Sequence, residues 1–224
     1  MIENKVLLIV PTRNRSHKIL DFYKYFSENS SITTLCLGLD ADNYLTYPKI
    51  DGVITEVNER SSMNGTLNLI AKKYCNDYEY IAFMGDDHRI MTKGWDETFV
   101  THAESVKNAI VYGDDLLQGE FLPTAVMVDS NIIRTLGYMA PPNQAHLYID
   151  NFWKQLGEKL GTLIYVKDVV IEHMHPIAGK SEVDQMYVDV NSPEKYESDG
   201  IAFQVYMNEQ FNIDIQKLND GIPT

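Results

Sequence analysis

The stretch YIAFMGDDH, residues 80–88, decides the fold. Residues 80–84 form a continuous apolar run of the kind that a strand buried on both faces requires, and the run breaks at once into Gly85-Asp86-Asp87-His88. The same grammar occurs twice upstream. Residues 6–10 (VLLIV) end in Pro11-Thr12-Arg13-Asn14-Arg15, and residues 32–39 end in Asp40-Ala41-Asp42-Asn43. Residues 53–57 supply a shorter strand. Between these runs the apolar spacing turns helical: Ile19, Leu20, Tyr23 and Phe26 follow Ser16 as a candidate cap, and Met63, Leu67, Ile70, Ala71 and Tyr74 share one face. Strand alternating with helix predicts an α/β chain with a doubly wound, mostly parallel sheet flanked by helices.

The second half is less regular. Residues 95–106 read as a helix, and residues 109–112 and 124–128 as extended chain. A short helix over 131–136 is framed by Ser130 as cap and Gly137 as stop. Ile149, Phe152, Trp153, Leu156 and Leu160 mark a further helix stopped by Gly161. A long strand over 163–171 runs into His173 and His175. The tail after residue 180 is expected to be an acidic loop and a terminal helix. No repeat or linker divides the 224 residues, so a single domain over 1–224 is predicted.

Hydrophobic content of 44% and charged content of 23% are ordinary globular values. The formal charge is −13, and residues 181–224 hold nine acids and two bases. No basic face is visible, which argues against extensive nucleic-acid contact. The opening MIENKVLLIVP has five consecutive apolar residues before its proline, too few for a signal region or a membrane span. Cys36 and Cys75 read as buried free thiols, and the protein as cytoplasmic.

Ligands of open α/β sheets sit beyond the carboxyl ends of the strands, so the three polar strand ends should open onto one rim. Asp86 and Asp87 suit a hard divalent cation that bridges phosphates. His173 and His175, two apart on a strand, would face the same side, and with the aspartates they make a mixed nitrogen and oxygen set. Asp150, in the first turn of its helix, is a candidate general base or an acid that stabilises the helix dipole. Arg13, Arg15 and Lys180 are candidate partners of a diphosphate, although the arginines could equally pair with the strand-end acids. Residues 176–190 read as a mobile lid.

The order VLLIVPTRNR, a strand ending in Asp, MNGTLNLIA, YIAFMGDDH, LYIDNFW and VIEHMHP resembles family 2 glycosyltransferases with the GT-A fold, over roughly residues 5–176. The tail is similar to that of small, phage-type members. The resemblance implies a nucleotide-sugar-binding half over 1–115 and an acceptor-binding half with the tail over 116–224. It places Pro11, Thr12, Asn14, Asp40, Gly65, Asn68 and Asp86 at the donor, beside the candidate cations Arg13, Arg15 and Lys180. It gives Asp87 with His173 or His175 to Mn2+ or Mg2+, and makes Asp150 the catalytic base. Two departures stand out: Gly85 replaces the first acid of the usual Asp-x-Asp, and Ile149 replaces the acid before the base. The implied activity is metal-dependent, inverting transfer of a sugar from a nucleoside-diphosphate donor, with UDP favoured, to an acceptor hydroxyl on a glycan, a small molecule or a modified base. A sugar-phosphate nucleotidyltransferase is the alternative enzyme, although the first strand lacks its glycine-rich loop. A degenerate, non-catalytic nucleotide- or glycan-binding module is the alternative outside catalysis.

Overall fold

The computed structural model describes residues 5–221, so the reading of Met1–Asn4 as part of a chain start without a leader lies outside the described residues. Eight strands form one sheet: β1 (Val6–Pro11), β2 (Thr33–Asp40), β3 (Ile54–Asn58), β4 (Tyr80–Phe83), β5 (His88–Ile90), β6 (Ile110–Asp114), β7 (Val126–Asp129) and β8 (Leu163–His173). Their order is β3-β2-β1-β4-β7-β6-β8-β5. The first four pair in parallel, β7 is antiparallel to both β4 and β6, and β6 is parallel to β8. Two antiparallel steps cancel, so β6 and β8 run in the same direction as β1. The carboxyl ends of β1, β2, β3, β4, β6 and β8 therefore share one rim.

Residues Val6 to Val10 of β1 are fully buried. Val6, Leu8 and Val10 face one core and Leu7 and Ile9 the other, as strand alternation requires. The first core packs under α1 (Ser16–Asn29) and α3 (Trp95–Ala103). The second packs under α2 (Met63–Tyr74), α4 (Ser130–Leu136) and α5 (Ile149–Leu160). This is the doubly wound α/β architecture that the apolar runs predict.

Several local expectations are corrected. Ser16 is the first residue of α1 and Arg15 holds the cap position, because the Arg15 carbonyl accepts the Lys18 N–H. Leu20 points to solvent and Phe22 takes its place in the core. At α4 the cap is Asp129, whose carboxylate accepts the Asn131 N–H, while Ser130 is buried inside the helix. The tail folds into three helices, α6 (Gln185–Val190), α7 (Pro193–Glu209) and α8 (Phe211–Asp220), where one was expected. In α7 the buried positions include Asp199, while Ile201 and Val205 are exposed, so no clean apolar stripe announces the helix.

No helix among the described residues is long and apolar enough to cross a membrane.

Candidate active site

The rim gathers the strand-end residues. Asp86 is buried and accepts a hydrogen bond from Thr12 Oγ1 at 2.6 Å, with Arg15 Nη1 at 3.1 Å. Thr12 spends its only proton on that carboxylate, so the neighbouring Tyr47 hydroxyl, 3.1 Å away, donates to Thr12 and itself accepts the Arg15 N–H. Burial, with the Asp87 charge beside it, pushes the Asp86 carboxyl up, against the pull of Arg15 and Thr12. Tyr47, Arg15 and Asp86 are thus one unit, and Tyr47 carries no motif that would reveal it in the sequence.

Asp87 faces two imidazoles. Its Oδ1 lies 3.5 Å from His88 Nδ1 and 3.6 Å from His173 Nε2, and the two rings stack with centroids 4.3 Å apart. Burial alone would raise the Asp87 carboxyl, but the contacts and charge of His173 and His88 hold it well below its ordinary range. Burial, with His88 beside it, pushes His173 below its ordinary value, against the pull of Asp87 and Asp115. One ligand atom each from Asp87, His88 and His173 lies within 4.8 Å of the others. Each ring also keeps a buried nitrogen without a hydrogen-bond partner, His88 Nε2 and His173 Nδ1. One carboxylate and two imidazoles suit manganese or a similar divalent ion. Gly85 makes the cluster possible: a Cβ there would sit 2.6 Å from Asp87 Oδ1 and 3.2 Å from His88 Nδ1.

His175 stands outside this cluster. β8 ends at His173, so strand alternation does not carry on to position 175. The His175 ring meets the His173 ring edge-on at 4.9 Å, packs on Tyr187, and caps the turn at Pro176–Ala178 by accepting the Ile177 N–H. His88, which the sequence analysis did not name as a metal ligand, is the second imidazole of the cluster. Its signal was only its position at the strand end.

The remaining candidates divide. Arg13 is spent on Asp40 and, by a forked contact at 2.7–2.8 Å, on Asp42. Arg15 is held by Asp86 and by Asp184, at 2.7 and 2.8 Å, and Lys18 adds a third charge 3.5 Å from Asp184. Pro11 closes β1 beside Gly38 of β2. Gly65 leaves room for Ser61, whose hydroxyl a Cβ would meet at 2.0 Å, and the Ser61 N–H points to Asp40. The structure does not bring Asn68 or Lys180 to the Arg15–Asp86 group. Asn68 brackets the Met139 and Ala140 backbone with all its amide contacts, and Lys180 is paired with Glu172 at 2.9 Å.

Asp150 opens α5, where its carboxylate accepts the Asn151 N–H at 2.9 Å. Burial raises its carboxyl, and the charges of His173 and Asp115 act on it. Its placement comes from a chain of contacts that the sequence does not advertise. Asp199 of α7 is buried and accepts the N–H groups of Ala145, His146 and Leu147 at 2.8–3.0 Å. That loop delivers Tyr148, which caps α5 with φ +66°. Asp115 organises the opposite loop by accepting the N–H groups of Leu117, Gln118 and Gly119, and its carbonyl receives the His173 N–H.

No family model matches the chain, and no curated protein matches it by sequence. Solved structures match its fold. Mannosyltransferase PcManGT from Pyrobaculum calidifontis, in complex with GDP-Man and Mn2+, aligns over 98% of this chain and 74% of its own, with a TM-score of 0.56 and 12% identity. Glucosyl-3-phosphoglycerate synthase from Mycobacterium tuberculosis, in complex with Mn2+, uridine diphosphate and phosphoglyceric acid, aligns over 90% and 78%, with a TM-score of 0.59 and 9% identity. The catalytic domain of Drosophila β1,4-galactosyltransferase 7, in complex with xylobiose, aligns over 81% and 75%, with a TM-score of 0.52 and 14% identity. The chain therefore has a GT-A-like fold.

Proposed function

We propose that the chain is a metal-dependent glycosyltransferase that moves a sugar from a nucleoside-diphosphate donor to an acceptor hydroxyl with inversion. The observation that carries this reading is the convergence of Arg15, Lys18, Asp86, Asp87, His88 and His173 on one rim, with Asp150 within electrostatic reach of His173. Arg15 and Lys18 are the cations that would take the diphosphate, and the Thr12–Asp86–Tyr47 unit fixes the Arg15 backbone and guanidinium. Asp87, His88 and His173 would hold a divalent cation, manganese in preference to magnesium, which when bound neutralises charge on a departing diphosphate.

Asp150 acts as general base in this proposal. It takes the proton of the acceptor hydroxyl as that oxygen bonds to the anomeric carbon, and the carbon–oxygen bond to the diphosphate breaks with its electron pair leaving on the diphosphate. Burial that raises the Asp150 carboxyl makes it a stronger base. A single displacement by one base inverts the anomeric centre. A uridine diphosphate sugar is the first donor to test, and the two buried free cysteines fit a reducing, cytoplasmic setting.

The test is a melting-temperature screen of UDP, GDP, CDP and TDP and their common sugars, with and without Mn2+. A metal-dependent shift with one diphosphate supports the reading. Donor turnover with an anomerically inverted product, read by proton NMR, completes it. Metal-independent shifts would move the chain to a binding module, and pyrophosphate-dependent conversion of the donor to a nucleoside triphosphate and a sugar 1-phosphate would move it to a nucleotidyltransferase.

A further inference from the structure

Gly113-Asp114-Asp115, at the carboxyl end of β6, repeats the Gly85-Asp86-Asp87 that follows β4. The two triplets flank one side chain, His173 at the end of β8. Asp87 Oδ1 lies 3.6 Å from its Nε2, and Asp115 Oδ2 lies 3.9 Å from its Nδ1. A break in the β6–β8 ladder brings the second pair together. Gly113 is in register with Val166 but Asp114 with Val170, so residues 167–169 bulge out of β8. Gly113 permits the bulge, since a Cβ there would meet the Val169 carbonyl oxygen at 2.3 Å. In an unbroken register Asp115 would stand opposite Asp168. Beyond the bulge its carbonyl instead receives the His173 N–H at 3.0 Å. Bulges of this kind re-aim a side chain next to a site.

The Asp115 carboxylate is fixed from its other side. Oδ1 accepts the N–H groups of Leu117, Gln118 and Gly119 at 2.6–2.9 Å, and Oδ2 accepts the Thr124 hydroxyl at 2.7 Å. Three donors crowd Oδ1, whereas Oδ2 takes one and keeps capacity for a second. The atom facing Oδ2 is His173 Nδ1, which is buried and has no hydrogen-bond partner. Their separation is about 1 Å longer than a hydrogen bond, a gap that a small swing of the ring closes. A lone pair on Nδ1, sealed from solvent, would face a buried carboxylate with nothing to offset it. The single proton of the neutral ring therefore belongs on Nδ1. Asp87 competes for that proton at Nε2, but its side chain is 18% exposed and shared with His88, against 3% exposed for Asp115. Solvent weakens the field of Asp87 more than that of Asp115.

We propose that Asp115 is the positioning residue of His173: its Oδ2 takes the Nδ1 proton, which leaves an unprotonated Nε2 turned toward Asp87 and His88. A carboxylate behind an imidazole fixes the tautomer and orientation of the ring and raises the basicity of its coordinating nitrogen. The use of that nitrogen rests on the metal-binding reading, but the place of the proton does not.

The experiment has a metal-free arm and a metal arm. Long-range 1H–15N spectra are recorded on metal-free protein labelled with 15N-histidine at about pH 8, where the rings are neutral. The His173 signals are assigned by their loss in His173→Gln. The wild type should carry its His173 proton on Nδ1. In Asp115→Asn the amide oxygen keeps the three backbone donors and the NH2 group takes the place of Oδ2. It then donates to Nδ1 and moves the ring proton to Nε2. A Mn2+ titration read by the electron paramagnetic resonance of the free ion should show binding weakened by about 10–100-fold in that variant. Thr124→Val removes one donor from the same carboxylate and keeps its charge, so its Mn2+ affinity should stay within about twofold of the wild type. A wild-type proton on Nε2, an unmoved proton in Asp115→Asn, an unchanged Mn2+ affinity in Asp115→Asn, or equal losses in the two variants would each overturn the proposal. Where Asp115→Asn does not fold, the wild-type spectrum decides alone. No Mn2+ binding to the wild type, with the proton on Nδ1, would instead overturn the metal reading and leave the Asp115–His173 pair standing.

Discussion

Asp184 offers the sharpest test of how the rim is held. Its carboxylate takes Arg15 in a forked contact at 2.7 and 2.8 Å, lies 3.5 Å from Lys18, and caps α6 by accepting the Tyr187 N–H at 2.7 Å. Burial would raise this carboxyl, but Arg15, the Tyr187 N–H and Lys18 outweigh it and hold it down to about 2 from 3.8. At about 1.4 kcal/mol per pH unit that depression corresponds to about 2.5 kcal/mol. The side chain is 30% exposed, and solvent screening reduces the coupling to about 1 kcal/mol. Asp184→Asn keeps the cap, because Asn serves that position as well as Asp, and removes only the charge. The melting temperature should fall by about 2–4 °C. A donor diphosphate must take Arg15 and Lys18 from Asp184, so the Kd of UDP or GDP in Mn2+, measured by calorimetry, should fall by about fivefold. The sign with pH follows from the depressed value. The contribution is complete above pH 3.8 and is lost as pH falls through about 2, so the wild type and variant should converge in stability as the buffer is taken from pH 4 toward 2. An unchanged melting temperature together with an unchanged or weaker diphosphate affinity would refute the reasoning.

The other expectations are briefer. Asp150→Asn should lower kcat by about 10²–10⁴-fold while leaving the diphosphate melting shift in place, and unaltered turnover would remove Asp150 from its role. Gly85→Ala drives a Cβ to 2.6 Å from Asp87 Oδ1, so Mn2+ affinity should drop at least tenfold in a metal titration while the fold survives. Asp214→Ala leaves the Tyr138 and Tyr206 hydroxyls and the Gln210 amide without their shared acceptor; a loss of roughly 3 kcal/mol, or roughly 10 °C, is expected in thermal unfolding. Burial holds His146, His173 and His175 below 6.5, so the unfolded chain takes up protons first. The metal-free melting temperature should therefore be level above about pH 7 and fall as pH is lowered through 6.5, and a flat profile down to pH 5.5 would contradict that.

The parallel half of the sheet was legible because each strand there is apolar on both faces and ends in polar residues, so one-dimensional hydrophobicity carries three-dimensional information. β5 was not, since three residues, His88 to Ile90, become a strand only through pairing with β8 more than eighty positions away. The convergence of the strand ends followed from direction alone. What pairs with what at the rim did not, because an arginine among acids has several partners and only geometry chooses: Arg13 went to Asp40 and Asp42, and Arg15 to Asp86 and Asp184. The buried acids escaped for a different reason. Asp96, Asp199 and Asp214 belong to no motif, yet each is buried and accepts at least three donors: among them Ser31, Ile32 and Thr33 at Asp96, the 145–147 loop at Asp199, and two tyrosines with Gln210 at Asp214.

Asp199 shows why that blindness matters for function. The proposed role of Asp150 as base depends on where α5 begins, and α5 begins at a left-handed Tyr148 whose own side chain makes no cap hydrogen bond. The restraint comes from α7, through Asp199 on the preceding loop and Phe203 and Gly200 on the tyrosine ring. The acidic tail, expected from the sequence to be a loop and a terminal helix, therefore sets the position of the candidate base. A chain cut before α7 should keep the sheet rim and its Asp87–His88–His173 cluster while losing the alignment of Asp150. Because the second core also leans on Phe203, Tyr206 and Leu218, the cleaner separation is Asp199→Asn, in which one carboxylate oxygen becomes an amide donor facing backbone N–H groups. That variant should bind Mn2+ as the wild type does, since none of the three clustered ligands touches α7, and should show reduced kcat with an unchanged donor KM. Equal losses of metal binding and turnover would mean that the tail supports the whole fold and not the base.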